Sequence, residues 1–278
     1  MSRTGASRWG GDALLLKPLM NADERRSNLA VETCPICGGS GWKIFEREGI
    51  SGAEKCECVQ AGRVGRLEER ANIPPLYEKA SVDNFVLPPD NPMARTALAS
   101  VALTVRGYVR DFPNVPKPGL LFIGAPGSGK THLAVAALHS LIERGFEGVF
   151  FDFQALLNRI RSGYDQASGT MDREAYKAAL DTEILLLDDV GAQRVTDWME
   201  DTVTSIVTHR CNHRKATIIT TNLRDPEAGN QRGSGLESDL YSKFFLEERI
   251  GMRARSRLFE MCKLIRMPDV EDYRLKRR

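Results

Sequence analysis

The chain has 278 residues, 42% of them hydrophobic and 27% charged, which allows one domain with an ordinary core plus a small appendage. Its formal net charge of +2 argues neither for nor against a nucleic-acid partner, so any basic surface must be local. No run approaches the roughly 18–20 apolar residues of a membrane span, and Met1–Trp9 lacks the apolar stretch and cleavage site of a secretory leader; a cytoplasmic protein with no membrane partner is expected.

Residues 1–33 are polar and irregular apart from Leu14–Leu16, and read as a flexible N-terminal segment. Next come Cys34, Cys37, Cys56 and Cys58, a C-x2-C pair followed 18 residues later by C-x-C. In a reducing compartment such close pairing points to metal rather than disulfides. The first pair forms a knuckle in which Gly38 and Gly39 let backbone amides turn toward the sulfurs, and the second pair closes a tetrahedral S₄ site for Zn²⁺. An iron–sulfur cluster is the other metal reading. A redox C-x-x-C fits less well, because no βαβ pattern precedes it. A module this small needs metal to fold and suits docking on a partner protein.

Residues 59–80 are charged and helix-prone up to Ile73, where Pro74 and Pro75 block continuation. They are grouped with the cysteines as a module and linker over 34–80, leaving 81–278 as the main domain. There, Met93–Asp111 predicts a helix, and Gly119–Ile123 a strand buried on both faces. A helix from Lys130 to Arg144, a strand at Val149–Phe153 and a helix starting near Gln154 follow. The apolar run Ile184–Leu187 ends in Asp188 and Asp189; a helix over Thr196–Arg210, a strand over Ala216–Thr221 and a last strand over Met261–Met267 complete the pattern. Strands alternating with helices predict an α/β fold, a five-stranded parallel sheet between helical layers.

Between the first of these strands and its helix lie Gly124, Ala125, Pro126, Gly127, Ser128, Gly129, Lys130 and Thr131, a G-x-x-x-x-G-K-[ST] loop. The glycines permit backbone conformations in which successive N–H groups converge on phosphates, and the helix adds its positive end. Lys130 then meets the β- and γ-phosphates of ATP, while Thr131 ligates Mg²⁺. Asp188, at a strand end, supplies the second Mg²⁺ contact. Asp189 is placed to polarise the attacking water, and Asn222, after Thr221, to orient that water or the γ-phosphate. As bland readings, Asp189 is a capping acid and Asn222 a turn residue.

This ordered set is joined by Ala80–Phe85, the arginine-rich Arg253–Met261 and Asp272–Arg274, and it resembles the DnaC/DnaI-type helicase-loader family of AAA+ ATPases, with the transposition helper IstB a close relative. The resemblance covers about residues 73–274. It implies an AAA+ P-loop fold, self-association through ATP sites on single-stranded DNA, and delivery of a replicative DNA helicase. It also implies that an arginine of Arg253–Arg257 reaches the ATP of the adjacent subunit, with Arg257 as the first choice and Arg253 the reserve. Arg274 would touch the γ-phosphate in its own subunit, and the nucleotide-contacting set extends to His132. Some loaders of this group also carry a varied form of the cysteine module. Asp188-Asp189 departs from the family's Asp-Glu, which implies slow or DNA-dependent hydrolysis.

Residues 249–278 hold ten Lys or Arg against four acids, a local +6 that reads as a solvated or DNA-facing face including Arg255 and Lys276–Arg278. The helix Gln154–Ser162, with Arg159 and Arg161, is the candidate pore-facing element. His209 and His213 read as a solvated helix end, and Cys211 and Cys262 as buried small hydrophobes. A small-molecule kinase would need an arginine-rich lid between the third and fourth strands, where only a helix is expected. A zinc-dependent nucleic-acid binder with incidental ATP is the remaining alternative.

Overall fold

The computed structural model describes residues 34–47, 50–162, 171–192, 196–225 and 245–275; the expectations for residues 1–33 and for Lys276–Arg278 fall outside these. Two compact units divide between Val59 and Gln60. In the first, β1 (Trp42–Arg47) and β2 (Ile50–Lys55) form an antiparallel hairpin with Trp42 opposite Lys55. The hairpin carries the chain back to its start, where Cys56 N–H donates to Gly41 O at 2.8 Å. Neither strand was apparent from the residues, since both are short and β2 contains glycine and alanine.

Helix α1 (Glu57–Arg70) begins at the second cysteine pair. The stretch 60–80, grouped with the cysteines from sequence, falls in the second unit: Ala71 and Ala80 are buried in its core, and Ala71 O accepts Phe150 N–H at 2.7 Å. The helix stops at Arg70, earlier than the proline pair expected from sequence to end it; Asn72 (φ 55) turns the chain, and the prolines lead into a 3₁₀ turn at Pro75–Tyr77. Helix α2 (Pro92–Asp111) then starts at Asn91, whose side chain accepts Ala94 N–H at 3.0 Å, with proline at the first turn where its missing donor costs nothing.

The second unit is built on β3 (Gly119–Ile123), β4 (Gly148–Asp152), β5 (Ile184–Asp188), β6 (Ala216–Thr221) and β7 (Cys262–Arg266), all parallel in the order β4-β5-β6-β3-β7. Helices α3 (Lys130–Glu143), α4 (Phe153–Ser162), α5 (Met171–Asp181), α6 (Asp197–Asn212) and α7 (Glu247–Met261) complete it. The two-residue period of a strand sends alternate side chains to opposite faces. Leu120, Phe122, Phe150, Leu186 and Ile218 pack with α2 and α3 on one face, whereas Leu121, Ile123, Phe151, Leu187 and Ile219 pack with α4 to α7 on the other. This is the three-layer α/β fold read from the sequence; α5 and α7 are helices that reading missed. Among the described residues no helix is long and apolar enough to cross a membrane.

Order 4-5-6-3-7 inserts β6 between the strand that precedes the glycine-rich loop and the strand that ends in Asp188. The ends of three strands therefore converge at one edge. At the opposite edge Arg210 is fully buried, and its guanidinium donates to the carbonyls of Ala179, Leu180, Thr182, Glu183 and Ala216 and to Thr217 Oγ1. Burial pushes it down to about 9, and carbonyls at the end of α5 and just before or at the start of β5 and β6 take up the terminal nitrogens while Thr217 takes the Nε–H. His209 and His213, on either side of Arg210, stack 4.2 Å apart at the end of α6, as a helix end rather than a ligand pair.

Candidate functional site: a phosphate loop and its acidic partners

Gly127 (φ 72) and Gly129 (φ 93) hold the left-handed backbone that turns the loop into α3. Side chains are also excluded sterically. A Cβ on Gly127 would lie 2.7 Å from Asp272 Cα, and one on Gly129 would lie 2.5 Å from a Phe85 ring carbon. The loop is thus walled by the C-terminal segment on one side and by residues 81–85 on the other. His132 holds the second wall: its Nε2 lies 2.9 Å from Ser81 O and its ring 5.5 Å from that of Phe85. The Ser128 hydroxyl is buried with no hydrogen-bond partner. An orphaned hydroxyl inside a ring of loop amides is what a phosphate oxygen would satisfy.

Lys130 is buried, and its ammonium donates to Gly124 O at 2.9 Å and Ala125 O at 2.8 Å. Burial pushes it down to about 8, against the opposing pull of Asp189 and Asp188. The Thr131 hydroxyl donates to Asp188 Oδ1 at 2.8 Å, and Thr220 donates to the same oxygen at 2.6 Å. Burial raises the Asp188 pKa while those two hydroxyls pull it back. Thr131 and Asp188 are adjacent oxygen donors of the kind that share Mg²⁺.

Asp189 takes a left-handed conformation (φ 56), and its N–H donates to Thr220 Oγ1 at 2.9 Å. One hydroxyl on β6 therefore ties together both aspartates at the end of β5. Asn222 Nδ2 donates to Asp189 Oδ1 at 2.6 Å, so the residue offered as either a turn residue or a site residue meets the second carboxylate directly. Thr220 carried no assigned role in the sequence reading. Its bridging role needs β5 and β6 side by side, which no local signal reports.

The structure brings Arg274 to the same place. Tyr273 N–H donates to Gly127 O at 3.4 Å and Arg274 N–H to Asp272 Oδ1 at 2.9 Å, while the Arg274 charge acts on Lys130. The arginines of α7 separate into three kinds. Arg255 makes a two-pronged pair with fully buried Asp225 (2.6 and 2.8 Å) and lies 4.6 Å over the Phe259 ring. That corrects its reading as part of a solvated basic face: it is a tether, because a buried carboxylate must be paired. Arg257 pairs with exposed Glu260 at 2.8 Å, an i,i+3 contact of little energetic weight. Arg253 is exposed and makes no hydrogen bond or ion pair among the described residues.

In the first unit the four cysteine sulfurs lie within 4.8 Å of one another, with Cys34–Cys56 at 3.8 Å and Cys37–Cys58 at 3.4 Å. A tetrahedron with Zn–S bonds of about 2.3 Å spaces its sulfurs about 3.8 Å apart, so the cluster fits Zn²⁺. Burial pushes the Cys37 thiol up, but Gly41 N–H, the Cys58 thiol and Gly39 N–H outweigh it and bring Cys37 down to about 6. Backbone donors aimed at a sulfur favour the thiolate that metal binding requires. Cys262 is buried as expected, whereas Cys211 is half-buried.

A family model described as IstB-like ATP binding protein matches residues 98–229. The replicative helicase loader DnaC of Escherichia coli (strain K12) is 25% identical over 164 residues, covering 59% of this chain and 63% of the loader. Uncharacterized protein YqaM of Bacillus subtilis (strain 168) is 26% identical over 180 residues, covering 62% of this chain and 55% of YqaM. The chain thus spans less than two thirds of the length of these curated relatives. Among solved structures, the crystal structure of DnaI is similar in fold, at 20% identity and a TM-score of 0.53 over 74% of this chain and 99% of that one. The crystal structure of the DnaC helicase loader matches at 33% identity and a TM-score of 0.56, covering 70% of this chain and 100% of that one. With that identity sustained across the whole of the crystallised loader, on a five-stranded sheet that ends in a phosphate loop and paired aspartates, this chain belongs to the DnaC/IstB-like family of AAA+ ATP-binding proteins.

Proposed function

We propose that the chain is an ATP-dependent loader of a replicative DNA helicase, assembling on single-stranded DNA and hydrolysing ATP as a switch. The observation that carries the reading is the Thr131–Asp188–Thr220 cluster with the Asp189–Asn222 pair beside it, on a chain 33% identical to a DnaC helicase loader. Lys130 and the loop amides hold the β- and γ-phosphates, and Thr131 and Asp188 hold Mg²⁺, which supplies charge neutralisation on the phosphates when bound. Asp189, oriented by Asn222, accepts a proton from the attacking water. Arg274 contacts the phosphates of its own subunit, and an arginine of α7 contacts those of the next. Arg253 is the uncommitted arginine there, and Arg257 needs only to leave an exposed carboxylate to serve. Exposed Arg159 and Arg161 on α4 offer phosphate contacts to single-stranded DNA. With these partners the proposed site of action is the cytoplasm.

The second reading, an ATPase helper of a DNA transposase, is favoured by the IstB-like description of the family model over residues 98–229. A pull-down from host extract with ATP·Mg²⁺ separates the two. Retention of a hexameric replicative helicase, lost with Lys130→Ala, supports the loader; retention of a transposase in its place overturns it.

The cysteine module is proposed to hold one Zn²⁺ through Cys34, Cys37, Cys56 and Cys58. Elemental analysis of purified protein should find about one zinc per chain, and Cys34→Ser with Cys37→Ser should remove it. Iron in place of zinc, or metal unchanged in the double variant, would refute the assignment.

A further inference from the structure

The arginine-bearing helix α7 is two pieces. Gly251 (φ 79, ψ 153) interrupts it, leaving one turn over Glu247–Ile250 and a longer helix over Met252–Met261. The first piece is anchored beside the acidic end of the phosphate site. Leu246 N–H donates to Arg224 O at 3.0 Å, and Gly191, two residues past Asp189, is packed so closely that a Cβ there would lie 3.1 Å from Arg249 Cβ. The second piece is anchored in the core by Ala254, Leu258 and Met261. Whatever sets the angle at Gly251 therefore sets where Arg253, two residues on, points into solvent.

Glu200 closes that joint. A Cβ on Gly251 would overlap the Glu200 carboxylate, with Cδ only 2.6 Å away. Glu200 belongs to the first turn of α6, whose start is fixed by Thr196 accepting Met199 N–H. Its carboxylate thus lies at the N-terminal end of Met252–Met261, where unpaired amides and the helix dipole favour negative charge. Beyond it, Thr204, Ser205 and Thr208 of α6 face Arg253, Ser256 and Arg257 across an open groove of about 890 Å³.

We infer that Gly251 and Glu200 form a positioning joint that sets the presentation of Arg253 to a neighbouring copy of this chain. The inference rests on the trans-acting arginine proposed above. A β-carbon at residue 251 must take a backbone conformation that side chains avoid, which is the main cost, and it also moves the exposed Glu200 carboxylate from the joint. A shift of about 1 Å in a charge-stabilising group is enough to cost on the order of a hundredfold in rate. The joint acts on the neighbour's chemistry and leaves the chain's own phosphate loop intact.

The test uses Gly251→Ala, with Glu200→Gln as the milder variant that keeps shape and removes charge. Full-length protein with ATP·Mg²⁺ is assayed for nucleotide affinity, hydrolysis and complementation by Lys130→Ala protein, which lacks a working loop but carries an intact α7. For Gly251→Ala the expected result is ATP affinity within about twofold of the parent, hydrolysis down at least tenfold, and recovery on mixing with Lys130→Ala. Glu200→Gln should shift in the same direction by a few-fold. If Gly251→Ala fails to fold by circular dichroism, Glu200→Gln decides alone. Unchanged hydrolysis in the folded variants overturns the joint, as does a loss that Lys130→Ala cannot complement while it does complement Arg253→Ala. Failure to complement Arg253→Ala itself removes the trans-acting arginine, and the joint with it.

Discussion

Lys130→Ala should weaken ATP·Mg²⁺ binding by at least about a hundredfold, whereas Asp189→Asn should bind normally and turn over at least tenfold more slowly. The lysine is buried with its ammonium fixed by the carbonyls of Gly124 and Ala125, so it is held at the mouth of the loop before any phosphate arrives. Hydrogen bonds to charged groups contribute about 1.5–3 kcal/mol each, and losing two such contacts to the β- and γ-phosphates amounts to a hundredfold or more in affinity. Asp189 has a different task. Its carboxylate contacts Asn222 and its amide contacts Thr220, and neither bond is to the phosphate loop. The asparagine is nearly the same shape and keeps that architecture, but it cannot take a proton from water, a step worth about 10²–10⁴ in rate. Titration with labelled ATP and a phosphate-release assay on the two variants separate these roles. Equal loss of binding in both would refute the division.

Mixing two inactive proteins should restore hydrolysis. Lys130→Ala has no working loop but an intact α7, and Arg253→Ala has the reverse defect, so a mixed interface unites the intact loop of one with the intact arginine of the other. An arginine that meets transition-state charge is worth about 10³–10⁵ in rate, so each parent variant should be nearly silent and the mixture readily measurable. Arg257→Ala belongs in the same experiment. The exposed Arg257–Glu260 pair holds it only weakly, while Arg253 has no hydrogen-bond or ion-pair partner among the described residues, so the stronger complementation is expected for Arg253. An arginine that acts within its own subunit, as proposed for Arg274, gives no complementation at any ratio. Activity per subunit should also rise with protein concentration and with single-stranded DNA, since a shared strand raises local concentration, and the DNA effect should fade with salt. A mixture as silent as its parents for both arginines would leave a nucleotide-binding protein whose sites do not span subunits.

Much of this arrangement follows from contiguous residues. Gly124–Thr131 acts through its own backbone amides and one adjoining helix, so the motif is complete within eight positions. Strands β3 to β6 are buried along almost their whole length and therefore appear as short runs with little charge, while the edge strand β7 exposes Lys263 and Arg266; all five boundaries lie within a few residues of those observed. The set of four thiols was equally legible, because close C-x2-C and C-x-C pairing is itself the spacing of a metal site. The hairpin between the pairs was not legible, since its pairing has no strong alternation to mark it.

What the chain order alone determined is the chemistry available: a phosphate loop, two aspartates at a strand end, a polar residue after β6, four thiols and a basic C-terminal run. What only the tertiary structure decided is which of those groups meet and which are already occupied. Thr220 bridges Asp188 and Asp189 because β6 is inserted between β3 and β5, an ordering no local pattern encodes. Arg253, Arg255 and Arg257 are equivalent charges in the sequence, and they differ only because a buried Asp225 claims one, an exposed Glu260 lightly holds another, and the third is left to solvent. The reason is general: a local motif supplies its own geometry, whereas an ion pair depends on a partner tens of residues away whose burial sets its strength.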